Sequence, residues 1–381
     1  MEAIPLSLYV HLPWCVRKCP YCDFNSHALT ELPETAYIDA LIDDLETALP
    51  SIWGRPVQSI FLGGGTPSLF SPQAIARLIS ELRTRLRLSP NAEITMEANP
   101  GTAEQDKFRD FRAAGINRLS LGIQSFNDAM LTRLGRIHGA REAHQAVEIA
   151  IDAGFDNFNL DLMFGLPGQS ARQAFTDLQT AIQHEPSHIS YYQLTIEPNT
   201  FFHQSPPTLP MDDDIWEMQL NGVALLETHG YQRYEVSAYA RNGKTCHHNR
   251  NYWEFGDYLG IGAGAHSKIT HLGSGAIHRF WKHRQPTQYM RRTGGSHIGG
   301  EELLTADSLP FEFMLNALRL TQGVNINLFP QRTFLPLESI QPTLRELSKD
   351  GLLDLTDGRL VATAPGQQFL NDVISRFLPD T

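Results

Sequence analysis

Three of the chain's four cysteines, Cys15, Cys19 and Cys22, fall within eight residues in the spacing C-x3-C-x2-C. Thiolates are soft ligands that suit zinc and iron–sulfur clusters. Structural zinc takes four ligands, usually in two separated pairs. This single knot would therefore need His11, His27 or Cys246 as a fourth donor. The other reading is a [4Fe–4S] cube held at three corners, with one iron left open to a small molecule. Spacing alone leaves both open. Four cysteines, three of them clustered, do not make a disulfide framework; in a reducing compartment such a cluster is more often a metal site.

Further chemistry-bearing residues sit where apolar runs end. GGGTP, with Gly64, Gly65 and Thr66, closes one such run, and its glycines allow backbone to approach a ligand closely. Glu97 in MEANP, Gln124 in GIQSF, Arg136 in LGRIHG and Asp161 in NLDLMFGLP lie at or just after the ends of others. Any one of these could be a satisfied loop residue. Together, on successive units of one sheet, they describe a ligand-lined mouth.

The elements that must position them alternate from residue 6 to about 240. Strand-like segments (SLYVHLP, VQSIFLGGG, EITMEANP, INRLSLGIQSF, FDNFNLDLMF, HISYYQLTI) are separated by segments with apolar residues at helical spacing. Six βα units in strict order predict an α/β fold with parallel strands and right-handed crossovers. Six is fewer than a closed eightfold barrel, so a partial (β/α)6 barrel is expected, with its site at the shared strand ends. The expected organisation is a core over 1–240, a connecting segment rich in Gly, His and aromatics over 241–300, and a smaller, mainly helical domain over 301–381. Within the connecting segment RRTGGSHIGGEE reads as a linker. The last domain reads helix, strand, a turn at Asp357-Gly358, strand, helix, a winged-helix-like pattern.

The 381 residues carry a net charge of −11, with 41% hydrophobic and 19% charged residues. That balance is globular and offers no basic footprint for nucleic acid. It also disfavours adsorption to an anionic membrane. No apolar run has membrane-spanning length and no basic-then-apolar leader precedes the first strand, so a cytoplasmic protein without an integral membrane segment is expected.

YVHLPWCVRKCPYCDF resembles the cluster loop of the radical S-adenosylmethionine (SAM) superfamily. The resemblance implies a [4Fe–4S] cluster on Cys15, Cys19 and Cys22, with SAM chelating the open iron. It implies SAM contacts from Tyr9, Tyr21, Gly64, Gly65, Thr66, Glu97, Gln124, Arg136 and Asp161. Nearly end to end, C-terminal domain included, the chain is similar to the oxygen-independent coproporphyrinogen III oxidase group. Oxidases of that group carry a fourth cysteine two residues after the third, where this chain has Phe24, and an N-terminal extension for which there is no room before the first strand. Both departures speak against porphyrinogen decarboxylation, which stays the alternative. The group's haem-chaperone members are the better likeness. HNRNYW fits their haem-binding signature, which implies His248, Asn249, Tyr252 and Trp253 as haem contacts and His248 as ligand to the haem iron. A neutral imidazole is a common axial ligand, and Tyr252 and Trp253 offer flat apolar faces.

The implied function is to bind haem near the surface and pass it to an acceptor protein, which could be membrane-associated. SAM cleavage would then regulate transfer rather than transform a substrate. Cys246 is expected to be a packed bystander. His266, after the glycine-rich GAGA turn, is placed near the mouth without a role.

Overall fold

Residues 4–28, 31–101, 107–292 and 297–379 are described in a computed structural model of the chain. Six parallel strands follow in order: β1 (Leu6–Leu12), β2 (Val57–Gly64), β3 (Leu88–Ala98), β4 (Arg118–Gln124), β5 (Phe158–Phe164) and β6 (His188–Gln193). The helices that return the chain between them are α1 (Glu34–Ile52), α2 (Pro72–Arg85), α3 (Phe108–Ala114), α4 (Ala140–Asp152) and α5 (Ala171–Gln183). Part of the helix expected before Gly115, residues 103–106, lies outside the described residues.

Two periodicities build this layer. Leu8 and Val10, Ile60 and Leu62, Ile94 and Met96, Leu119 and Leu121, Leu160 and Leu162 alternate along their strands and pack under the helices. Ile75, Leu78, Ile79 and Leu82 of α2 answer them at helical spacing, as do Ala143, Ala146, Val147 and Ala150 of α4. Capping sets the starts: Ser71 accepts from the Ala74 N–H at 3.2 Å, and Ser170 forms a capping box with Gln173. The remaining strand positions (Tyr9, Phe61, Glu97, Ser120, Asp161, Ser190) face inward and line cavities. The sheet is therefore apolar toward its helices and polar toward its interior.

After α6 (Asp212–Thr228), the hairpin β7 (Gln232–Glu235) and β8 (Ala238–Ala240) adds antiparallel to β6. A short helix, α7 (His247–Trp253), precedes β9 (Asp257–Ile261), which lies parallel to β1 on the sheet's other side. β10 (His266–His271), β11 (Ala276–Lys282) and β12 (Ile298–Leu303) continue outward from it, antiparallel. The sheet order is β12-β11-β10-β9-β1-β2-β3-β4-β5-β6-β8-β7.

The segment expected as a connector over 241–300 thus supplies two short helices, α7 and Pro286–Met290, and four strands of the main sheet. Its hydrophobic pattern is broken because Lys268 and Lys282 are buried inside it. Lys268 is held 3.1 Å from Asp257, which Arg55 also meets at 2.9 Å, and Lys282 pairs with Asp44 of α1. Of the expected linker, 293–296 lie outside the described residues, while 298–302 belong to β12.

A second core gathers Phe313, Phe329, Leu347, Leu360, Val373 and Phe377 with Phe255 and Ile277 from the preceding segment. A helix (Gln341–Lys349) leads into a hairpin of strands Leu353–Thr356 and Arg359–Ala362. Asp357 and Gly358 both have positive φ (52° and 73°), the conformation a two-residue hairpin turn requires. Val324–Asn325 adds a third short strand.

Candidate functional site

The cysteine loop leaves the end of β1 and is pinned where it departs and returns. Trp14–Cys15 runs parallel to His27–Ala28, and the His27 N–H donates to Pro13 O at 2.7 Å. The Gly65 and Thr66 N–H groups donate to Leu12 O and Trp14 O at 2.9 and 2.7 Å, fastening the loop to the end of β2. A Cβ on Gly64 would run into the His11 ring, and one on Gly65 into the Trp14 carbonyl. Gly64 also has φ 113°, outside the range of other residues. The two chain segments lie this close only because both residues are glycine.

The three thiols face a cavity of about 490 Å3 at the strand ends. Thr66 Oγ1 donates to Cys15 Sγ at 3.6 Å, Arg136 Nη1 to Cys19 Sγ at 3.7 Å, and Ser26 Oγ lies 3.9 Å from Cys22 Sγ. Such donors stabilise sulfur that carries negative charge. Burial raises the Cys15 and Cys22 thiols above their ordinary pKa, so metal binding here must displace protons. Among the described residues, no set of three His, Cys, Asp or Glu converges on a single-ion site. Three thiols along one cavity wall, with polar hydrogens aimed at two of them and room beyond, fit a multi-iron cluster with an open corner.

The remaining expected SAM residues line the same cavity, with one exception. Tyr21, Gly64, Gly65, Thr66, Glu97, Gln124, Arg136 and Asp161 are all on its wall. Tyr9 is not; its hydroxyl meets His11 Nδ1 at 2.9 Å and it faces two neighbouring spaces. Glu97 accepts from the Gly64 N–H at 3.0 Å. Burial pushes its carboxyl up to about 7, the Asp161 carboxylate adding to the rise and the Gly64 N–H opposing it. Asp161 is raised by burial too, against hydrogen bonds from Asn159 and Ser120 at 2.8 and 3.0 Å.

Sequence reasoning missed two residues. Asn99 donates to Thr66 Oγ1 at 2.7 Å and accepts from Arg136 Nη2 at 2.5 Å, joining the glycine segment to the arginine. Tyr192 donates to Gln124 Oε1 at 2.7 Å, the residue whose positive φ of 67° turns it into the cavity. Asn99 stands two positions past Glu97 on the same strand end, a signal that was available. Tyr192 sits in an apolar run and gave none.

The HNRNYW residues form α7, and they divide between spaces. Asn249 and Trp253 reach the wall of the main cavity, and Tyr252 lines an open cleft beside it. His248, expected as a ligand of haem iron, is 2% exposed in the interior. Its Nδ1 lies 3.1 Å from Ser59 Oγ and its Nε2 3.2 Å from Tyr252 Oη, beside an inner cavity of about 290 Å3. The reason is the helix's seat: Glu93 accepts from the His247 and His248 N–H groups at 3.0 and 3.4 Å and draws α7 into the sheet's interior. Cys246 is buried at the same seat, with Sγ 3.6 Å from Glu93 Oε1, and lines that inner cavity rather than the cluster's.

Comparison with known proteins decides the family. The radical SAM superfamily model matches residues 9–179 and the HemN C-terminal domain model residues 304–369. The chain is 48% identical to the haem chaperone HemW of Escherichia coli over 99% of both chains, and 31% identical to that of Bacillus subtilis over 98% of this chain and 99% of the other. The chain belongs to the HemW family of radical SAM proteins. Coproporphyrinogen III oxidase (HemN) from Escherichia coli is similar in structure, with a TM-score of 0.82 and 26% identity, covering 98% of this chain and 90% of that one. As a HemW-family radical SAM protein the chain carries a [4Fe–4S] cluster and SAM. Cys15, Cys19 and Cys22 would hold the cluster, and its open iron supplies the binding point for SAM.

Proposed function

We propose that this protein is a haem chaperone: it binds haem beside its SAM and cluster cavity and releases it to a haem-accepting protein, in the cytoplasm or at a membrane surface. The observation that carries the reading is end-to-end similarity, at 48% identity, to a protein named as a haem chaperone. The placement of α7 supports it, since HNRNYW forms the partition between the cofactor cavity and an open aromatic cleft. No helix among the described residues is long and apolar enough to cross a membrane.

The test is anaerobic reconstitution of cluster and SAM, then a hemin titration followed at the Soret band. Stoichiometric binding and passage of the haem to an apo-acceptor are expected. Absence of any Soret change overturns the reading.

Structural similarity to HemN favours a second reading, a radical SAM coproporphyrinogen III oxidase. Phe24, where oxidases of that group carry a further cysteine, speaks against it. Turnover of coproporphyrinogen III by the reduced, SAM-loaded protein would reverse the order of the two.

A further inference from the structure

The chaperone reading leaves open which protein group meets the haem iron. Next to the cofactor cavity lies an open cleft of about 630 Å3, well within the ~300–1,000 Å3 of ligand sites. Phe24, Tyr252, Tyr258 and Trp281 give it aromatic walls, and the cation of Arg284 stands in its lining. Two histidines face it. His11 is 4% exposed and committed at both nitrogens, Nδ1 to Tyr9 Oη and Nε2 to Asn25 O, each at 2.9 Å. His266 is exposed. It opens β10 directly across from Trp281, their rings 6.0 Å apart and inclined by 28°. Among the described residues no hydrogen-bond partner meets its ring.

We propose that haem enters this cleft with its iron on His266, its porphyrin face against the aromatic walls and a propionate on Arg284. The assignment rests on the haem-chaperone reading and moves the iron contact away from His248. A neutral imidazole with no hydrogen-bond partner offers a lone pair to iron. Aromatic faces supply the apolar contact a porphyrin needs, and a guanidinium is the natural partner of a carboxylate. The family signature keeps a part in this arrangement. Tyr252 forms the cleft wall, and His248 behind it holds the Tyr252 hydroxyl at 3.2 Å as a positioning residue. An open cleft also suits a cargo that must leave again.

The experiment is a hemin titration of the reconstituted full-length protein and of His266→Ala, with His271→Ala as the control at the far end of β10. The expected result is at least tenfold weaker binding and an altered Soret maximum in His266→Ala, restored by added imidazole, with equal iron and sulfide content. His271→Ala is expected to titrate like the parent. Unchanged affinity and spectrum in His266→Ala, while the parent binds haem, would sink the assignment and leave the chaperone reading standing. Loss of binding in His248→Ala alone would do the same and return the iron to His248. A parent protein that binds no haem defeats the chaperone reading itself.

Discussion

At the scale of single residues the site is a balance of burial against a few directed hydrogens. Glu97 shows it most clearly, with its carboxyl pushed up to about 7. A carboxyl with a folded pKa above its unfolded value favours folding while protonated. That contribution is present below the unfolded value near 4.5 and is lost as pH rises toward 7. Glu97→Gln should therefore flatten the pH dependence of the melting temperature of cluster-free protein between about pH 5 and 7. If Glu97 meets the amino group of SAM, as the family resemblance implies, the N–H hydrogens of that group would favour the ionised carboxylate. SAM affinity is then expected to rise about tenfold from pH 6 to pH 8, the change in ionised fraction for a group titrating near 7. Calorimetry in buffers of different ionisation enthalpy should register proton release, and an affinity flat across this range would remove Glu97 from the contact. The cysteines divide equally sharply. Cys15→Ser, Cys19→Ser and Cys22→Ser should each abolish the cluster absorbance and iron content. Cys246→Ser should leave both unchanged, because Cys246 lines the separate inner cavity.

At the scale of elements, α7 depends on one buried carboxylate. Glu93 on β3 takes hydrogen bonds from the start of that helix and lies 4.0 Å from Arg118, and both side chains are at most 5% exposed. Removing one partner of a buried pair leaves an uncompensated charge and costs about 3–5 kcal/mol. Glu93→Leu should destabilise the protein by that order, read as a loss in denaturant midpoint, and should release His248 from its interior seat. This is also the scale at which legibility in the sequence divides. The six βα units could be read because apolar residues alternate on strands such as Leu8, Val10 and Leu12 and recur at helical spacing in α2. The strands β9 to β12 could not be. Lys268 and Lys282 occupy buried positions there, and the charge that neutralises Lys282 sits on α1, 238 residues away. A pairing so distant leaves no local pattern. The candidate cofactor site was legible for a related reason: Gly64 and Glu97 at the ends of β2 and β3, and Asp161 within β5, break apolar runs. The cleft was not, because Phe24, Tyr258, His266 and Trp281 come from separate segments brought together by the β1–β9, β9–β10 and β10–β11 pairings and by the Asn25 contacts to Ala263 O and Arg284 O, both at 2.9 Å.

At the scale of the whole molecule, the C-terminal region is tied to the cofactor cavity through one side chain. Arg319 reaches Glu235 at 3.1 Å, lies over the Trp253 ring at 4.3 Å and joins both residues on the cavity wall. Thr321 adds hydrogen bonds to Tyr234 O and Arg233 O at 3.1 and 2.8 Å, and Glu312 pairs with Arg279 of β11. The core of this region is not closed on itself, since Phe255, in the turn before β9, and Ile277 of β11 complete it. A chain cut after Leu303 would expose both, along with the face of Trp253, and is expected to unfold at lower temperature and to aggregate. Arg319→Ala separates docking from folding. It leaves Phe255 and Ile277 covered but removes the cation from Trp253, a contact worth about 0.5–2 kcal/mol. It also leaves Glu235 without its ion pair. If the C-terminal region shapes the cavity, Arg319→Ala should change SAM affinity severalfold while the melting temperature falls only slightly. Equal SAM affinity in parent and variant would reduce the region to a cover for the sheet's apolar edge.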